Sequence, residues 1–318
     1  MSVNFTISPN VQNVLAELEI SRKKIVADKT KNWGIIILGV IALFGISSLG
    51  FLIAGLIVAI PAIIYGAIKL FKMDEEVGAY KVRFKHDVIG ATLSAANQSF
   101  TFTPNDGISE TEFINSQLFT TTPDRYSTED LITGKIDKTS IYFAEVHAEY
   151  KTETQTKNGR KVTWHDIIKG IIFTADFNKH FNGATVIRPK DFGSAFGAWF
   201  SKNIYSFGDK NVVELENDAF NKTFIVYSTD QVEARYILTP ALMERIGSLN
   251  QRTAYTVSLS FINSAMYIAF PLDQNYFEPP IFKTLLAPDL LSKDLSALKF
   301  MYDIVHELDL NTRIWTKA

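Results

Sequence analysis

The sequence predicts an α+β protein, in which a two-helix transmembrane hairpin precedes a cytoplasmic domain with mostly antiparallel sheet and flanking helices. Residues 33–71 are almost continuously apolar, with Lys69 as their one charge. After them, strand-like stretches follow one another through hairpin signals, without the βαβ alternation of a parallel fold. We therefore predict three segments: an N-terminal cytoplasmic helix (1–32), the transmembrane hairpin (33–71) and the cytoplasmic α+β domain (72–318).

Composition excludes several classes of protein. The chain has 318 residues, 47% of them hydrophobic, and a formal net charge of -2. This length suggests about two structural units. A dedicated nucleic-acid binder would carry a basic excess, so no nucleic-acid partner is expected. The chain has no cysteine, which excludes disulfides, thiolate zinc sites and a cysteine nucleophile.

The first predicted element is a helix that begins at Ser8-Pro9, a capping residue followed by proline in the first turn. The apolar block follows. As one straight helix it would be about 58 Å long, whereas a bilayer core is about 30 Å thick. Two spans with a turn at residues 45–50, which contain two glycines and two serines, fit better. The alternative is a hairpin buried in a soluble core.

Orientation follows from the flanking charges. Five basic residues precede the apolar block and five lie in or just after its end, whereas the turn has no charge. The positive-inside rule places both ends in the cytoplasm and the turn outside. The chain is therefore expected to be a multi-pass membrane protein in contact with the lipid bilayer. Small residues in the spans permit close helix packing and self-association as a homo-oligomer.

The remaining elements follow in order. A helix is predicted over 74–97, and Ser109 with Glu112 forms a capping box before a short helix. Asn158-Gly159, the strongest short hairpin signal, separates two strand-like stretches. Further predicted strands lie at 171–173, 183–187, 212–215, 224–227, 255–261 and 266–270, and further helices at 192–200, 239–247 and 289–308.

Many pieces of this chain resemble, in the same order, a bacterial membrane family called DUF3137, a domain of unknown function. The resemblance covers about residues 80–310 and includes the preceding hairpin, and with the predicted topology it implies a location in the bacterial inner (plasma) membrane. The resemblance implies a LemA-type membrane protein as partner, because relatives are often encoded near such proteins. It assigns no catalytic residues to this chain. The matching pieces are Leu118-Phe119, 124–126, 129–132 with Gly134, 145–149, 176–179, 213–216 with Phe220, 226–228, 230–236, Ser260-Phe261, 267–269 and 277–279.

The best candidate for chemistry is Glu145, His147 and Glu149. On a strand these alternate residues point to one face, where two carboxylates and an imidazole would bind a metal or transfer protons. A polar, solvated sheet face fits the same pattern. No cofactor is expected, because phosphate-loop, dinucleotide, nucleophile-elbow and HExxH motifs are missing from the sequence.

Three other groups are weaker candidates. Asp176 and His180 would be neighbours on one helical turn. The run from Asp230 to Tyr236 suggests a buried pair between an arginine and a carboxylate. Glu278-Pro279-Pro280 is predicted to be a turn or an extended segment.

Three functions remain open. The first is a membrane-anchored binding or scaffold module that acts with another membrane protein, because a strong anchor and a large domain occur without a catalytic signature. The second is a membrane-tethered hydrolase, with a metal at His147. The third is a transporter or channel, for which two spans with no ionisable residue except Lys69 make a poor pathway.

Overall fold

The computed structural model describes residues 8–157, 159–177, 180–190, 211–272 and 274–310. They form two compact units. The helical unit contains the described residues from Ser8 to Ala95 together with Phe277–Lys293. The sheet unit contains Ala96–Tyr276 together with residues from Asp294 onward. The α+β class predicted from the sequence is confirmed. The boundaries of the three predicted segments stay predictions.

The helical unit is built on two long helices. α1 spans Pro9–Ser48, and the Ser8 hydroxyl accepts a hydrogen bond from the Val11 amide, as the sequence predicts. The turn contains Gly50 at φ +85°, a conformation that favours glycine, and α2 then spans Leu52–Phe84. A π-helical stretch, Lys85–Gly90, and the short α3, Ala91–Ala96, follow. Both long helices are long and apolar enough to cross a membrane.

Residues 277–293, here called the strap, are held to the long helices by a buried ion pair. Arg22 donates two hydrogen bonds of 2.8 Å to the carboxylate of Glu19. Arg22 also donates to the Ile281 carbonyl at 2.8 Å, and Glu19 accepts from the Leu285 amide at 2.9 Å. The hydrogen bonds from Arg22 lower the pKa of Glu19 from its usual 4.5 to about 2. The pair is therefore ionised at neutral pH, and it binds the strap at Ile281 and at Leu285.

A second contact holds the beginning of the strap. Glu278 lies 2.7 Å from the ammonium groups of both Lys81 and Lys85. The Tyr80 hydroxyl donates to the Pro280 carbonyl at 3.0 Å, and burial raises the pKa of Tyr80 to about 12. Glu278-Pro279-Pro280, predicted to be a turn or an extended segment, is thus part of the strap.

The described strands of the sheet unit form one antiparallel sheet in the order β1-β2-β3-β4-β9-β8-β5-β7-β6. The strands are β1 (Thr101–Thr103), β2 (Arg125–Ile136), β3 (Thr139–Thr156), β4 (Gly159–Asp176), β5 (Ala184–Pro189), β6 (Asn211–Val213), β7 (Phe224–Ser228), β8 (Ser258–Ile262) and β9 (Ala265–Pro271). The hairpin predicted at Asn158-Gly159 is confirmed, because β3 pairs with β4 as far as Thr156 opposite Gly159. Asn158 itself lies outside the described residues.

Helices cover parts of both faces of the sheet. On one face, α4 (Glu110–Asn115) and the residues after it pack against β3 and β4 in a cluster that includes Phe113, Leu118, Val146 and Ile168. On the other face lies α8 (Ser292–Glu307), whose Phe300 contacts Phe270 of β9 edge-to-face at 5.4 Å. The remaining helices are α5 (Asp218–Thr223), α6 (Gln231–Ile237) and α7 (Pro240–Gln251).

Several elements differ from the prediction. β1, β2, α5 and α6 were not predicted. The helix predicted over 192–200 lies outside the described residues. The predicted capping box is present, since the Ser109 hydroxyl accepts from the Glu112 amide at 3.1 Å.

Candidate functional site

β3 places Glu145, His147 and Glu149 at alternate positions, on the face opposite the cluster that contains Val146. The neighbouring strands extend this polar face. His147 is paired with Ser127 of β2 and with Lys169 of β4. The sheet register therefore brings side chains of both charges onto one three-strand surface.

A cavity of about 280 Å³ lies on this surface. Its lining includes two carboxylates, one imidazole, one ammonium group and two amides, supplied by Glu129, Glu145, His147, Lys169, Gln274 and Asn275. A concave site with a few converging polar groups is typical of small-ligand or side-chain recognition. The sequence contains no local signal for Gln274 and Asn275, which follow β9 and reach the site through the fold.

Glu145 is the most buried of the three predicted site residues, with 8% of its surface exposed. Its carboxylate accepts a hydrogen bond of 2.6 Å from the Tyr276 amide. Oxygen atoms of Glu129, Asp130 and Glu145 lie within 4.8 Å of one another. Asp130 has φ +61° at the bulge in β2, which brings its carboxylate towards the other two. This end of the site is acidic, so it favours cationic groups.

His147 faces a residue that the sequence reading missed. Its Nε2 atom lies 2.6 Å from Oδ1 of Asp166, which is paired with Glu149 across the hairpin. One donor atom from each of His147, Glu149 and Asp166 lies within 4.8 Å of the others. The signal was present in the sequence, because counting outward from the turn after Thr156 puts Asp166 opposite Glu149.

Glu149, besides lying near His147 and Asp166, forms an ion pair with Arg125. Arg125 donates to its carboxylate at 3.0 Å, and the Arg125 guanidinium lies 3.9 Å from the ring centre of Trp164. This arrangement orients the carboxylate towards His147 and Asp166. Together these residues are able to hold a divalent metal ion through one imidazole and two carboxylates.

The other predicted groups are not brought into this site. Asp176 is the last residue of β4 rather than part of a helix, and His180 lies 3.2 Å from the hydroxyl of Ser264. The proposed helical pair of Asp176 with His180 was therefore wrong, since the chain is still in a strand at Asp176.

The prediction of a buried pair between arginine and carboxylate in residues 230–236 was also wrong. Asp230 caps α6 and accepts from the amides of Val232 and Glu233. Glu233 is buried and accepts from the Gly183 amide at 2.9 Å, whereas Arg235 is exposed. Backbone amides thus satisfy these carboxylates, so their roles are structural.

Comparison with known proteins agrees with the family resemblance. Residues 166–310 match the family model described as "Protein of unknown function (DUF3137)". No curated protein matches the chain. The crystal structure of the mycobacterial trehalose monomycolate transport factor A, TtfA, is similar at a TM-score of 0.37 and 9% identity, over 73% of this chain and 95% of that chain. A likeness at this level does not bear on function.

Proposed function

We propose that this chain, whose residues 166–310 match DUF3137, is a membrane-anchored binding or scaffold module. In this proposal the two long helices cross the bacterial inner membrane, and the sheet unit engages a partner on the cytoplasmic side. A LemA-type membrane protein is the partner that the resemblance implies, and a second copy of the chain is the alternative.

The observation that carries the proposal is the exposure of the apolar helices. In the most apolar 18-residue stretch of α1, only 11% of the stretch is buried within the protein. In the corresponding stretch of Leu52–Ala96, 17% is buried. The core helix of a soluble protein would bury most of such a stretch. Large apolar side chains such as Ile41, Ile53 and Phe71 are between 60% and 80% exposed. Lipid is the environment that accommodates such a surface.

The flanking charges support the orientation. Lys23, Lys24, Lys29 and Lys31 precede the apolar part of α1, and basic residues also follow that of α2. The turn near Gly50 has none. Both ends of the helical pair are then cytoplasmic.

We expect the full chain to stay in the membrane pellet after an alkaline carbonate wash. Replacing Ile41 and Ile60 together by arginine should release or eliminate the protein, because an arginine at the centre of a span costs about 2.5–3.5 kcal/mol on insertion scales. Val82→Arg is the matched control, since Val82 lies in α2 beyond the apolar block and is already 46% exposed. Carbonate release of the unmodified chain would contradict membrane anchoring.

A metal-dependent hydrolase is the second candidate. It is favoured by the donor set of His147, Glu149 and Asp166, which adjoins the cavity. These three residues would hold a divalent ion through one imidazole and two carboxylates, and such an ion would supply activation of a water molecule.

This candidate predicts that the purified protein binds Zn²⁺ with a stoichiometry of one, as measured by isothermal titration calorimetry. His147→Ala and Asp166→Asn should each weaken binding by about tenfold or more, because each removes or weakens one ligand. His165→Ala is the matched control, since His165 is adjacent in β4 but bonds to Thr152. Absence of binding, or equal binding by the His147 and His165 variants, would exclude this metal site.

A further inference from the structure

The β3–β4 hairpin extends beyond the rest of the sheet. β2 is last paired at Arg125 opposite Glu149, and β9 at Pro271 opposite Gly170. Beyond these points, Lys151–Thr156 and Gly159–Trp164 are paired only with each other among the described residues. We call these two stretches the arm. All of its residues are exposed.

One edge of the arm continues the line of β2. Glu149 accepts a backbone hydrogen bond from Asp124, and Lys151 donates its amide to the Asp124 carboxylate at 2.9 Å. Alternate residues of a strand direct their backbone groups to the same edge. The amides and carbonyls of Glu153 and Gln155 therefore face the same edge, and no described residue pairs with them.

This edge lacks most of the usual protection against strand addition. Natural proteins blunt exposed edges with charged side chains, proline, bulges or very short strands, and of these the edge has charged side chains at Lys151 and Glu153. The described arm residues contain no proline, and the bulge lies at the base of the arm, between Ala148 and Glu149. A two-stranded ribbon is also only marginally stable in water by itself. A third strand would satisfy its open backbone groups and stabilise it.

The charge of the arm selects the partner. Lys151, Lys157, Arg160 and Lys161 lie in or beside it, whereas Glu153 is its one acidic residue and is paired with Arg160. The chain itself contains a contact of the kind that an acidic strand would make with the arm. The carboxylate of Asp124, besides accepting the Lys151 amide, lies 3.8 Å from the ammonium group of Lys151. Asp124 thus places an acidic residue beside β3 at the point where the unpaired edge of the arm begins.

We propose that an extended, acidic segment of a partner protein adds as a strand to the Lys151–Thr156 edge of the arm. The inference rests on the proposed binding function and names its contact surface. Pairing with the arm of a second copy is disfavoured, because it would bring together two arms that each carry a net positive charge.

The test uses the full chain in detergent and a labelled ten-residue peptide of alternating glutamate and valine, with fluorescence anisotropy as readout. A peptide with lysine in place of glutamate is the charge control. Glu153→Pro should weaken binding of the acidic peptide tenfold or more, because the lost amide faces the open edge and makes no bond to β4. Glu153→Ala is the matched control and should bind at least as well as the unmodified chain.

A second variant guards against misfolding of the proline variant. Lys151→Gln with Lys161→Gln leaves the backbone intact and should weaken binding severalfold, with a smaller salt dependence. Equal affinity for the two peptides, no binding of the acidic peptide, or full binding by Glu153→Pro would overturn the proposal. The proposal would also be overturned if the protein bound no peptide but, held in nanodiscs, floated with phosphatidylglycerol vesicles through Lys151 and Lys161. Resistance to carbonate extraction is measured separately, so failure of the arm and failure of the anchor are distinguishable.

Discussion

Arg22→Ala is expected to lower the free energy of unfolding by about 3–5 kcal/mol, because it leaves the buried carboxylate of Glu19 without its cation. The side chains of Arg22 and Glu19 are 10% and 4% exposed. The same change removes the hydrogen bond from Arg22 to Ile281 of the strap. Guanidinium unfolding in detergent micelles, followed by circular dichroism, would measure the loss.

Lys23→Ala is the matched control for this prediction. Lys23 lies 4.0 Å from the same carboxylate, but its side chain is 70% exposed. Exposed pairs contribute about 0–1 kcal/mol, so this variant should unfold almost like the unmodified chain. Equal losses for the two variants would show that the buried pair does not hold the strap.

Gly170→Ala is expected to destabilise the protein by about 3 kcal/mol, since it overpacks a strand pairing. A Cβ atom at Gly170 would lie 2.0 Å from the Phe270 carbonyl oxygen and 3.0 Å from the Leu272 nitrogen. Both are backbone atoms, so relief requires β4 and β9 to separate where Gly170 pairs with Pro271. The same unfolding titration would measure the effect.

Gly247→Ala should have the opposite sign. Gly247 lies within α7, and a Cβ atom there would meet no other atom within 4 Å. Alanine should stabilise the helix by about 0.5–1 kcal/mol, because it reduces the conformational freedom of the unfolded chain. If Gly170→Ala were as well tolerated as Gly247→Ala, the close approach of β4 to Phe270 would be refuted.

The helices were predictable because their signals are local. Ser8, Ser109 and Thr239 each cap a helix through the side-chain oxygen, as the sequence suggests. The hairpin signal at Asn158-Gly159 likewise indicates the two strands that flank it. These signals depend on neighbours a few residues away, so no tertiary information is needed.

β2 and α6 were missed because tertiary context overrides weak local signals. β2 contains adjacent acidic residues and a bulge with Asp130 at positive φ, a pattern typical of loops. It is a strand because β3 lies alongside it. α6 is capped by Asp230, but the acidic and basic residues after it suggested an ion pair instead.

The candidate site was predictable in part. The alternation of Glu145, His147 and Glu149 follows from strand geometry, and Asp166 follows from the hairpin register. The cavity was not predictable, because Gln274 and Asn275 reach it only through the pairing of β9 with β4. Which residues join a site from distant segments is a property of the sheet order, which local patterns do not encode.

Membrane topology is the central claim of this account, and cysteine labelling tests it most directly. The chain has no cysteine, so a single introduced one gives a signal without background. We predict that an impermeant maleimide labels Leu49→Cys, in the turn between the spans, in intact spheroplasts. Gln155→Cys, in the arm, should be labelled only after permeabilisation. Labelling of Gln155→Cys in intact spheroplasts would contradict a cytoplasmic binding module.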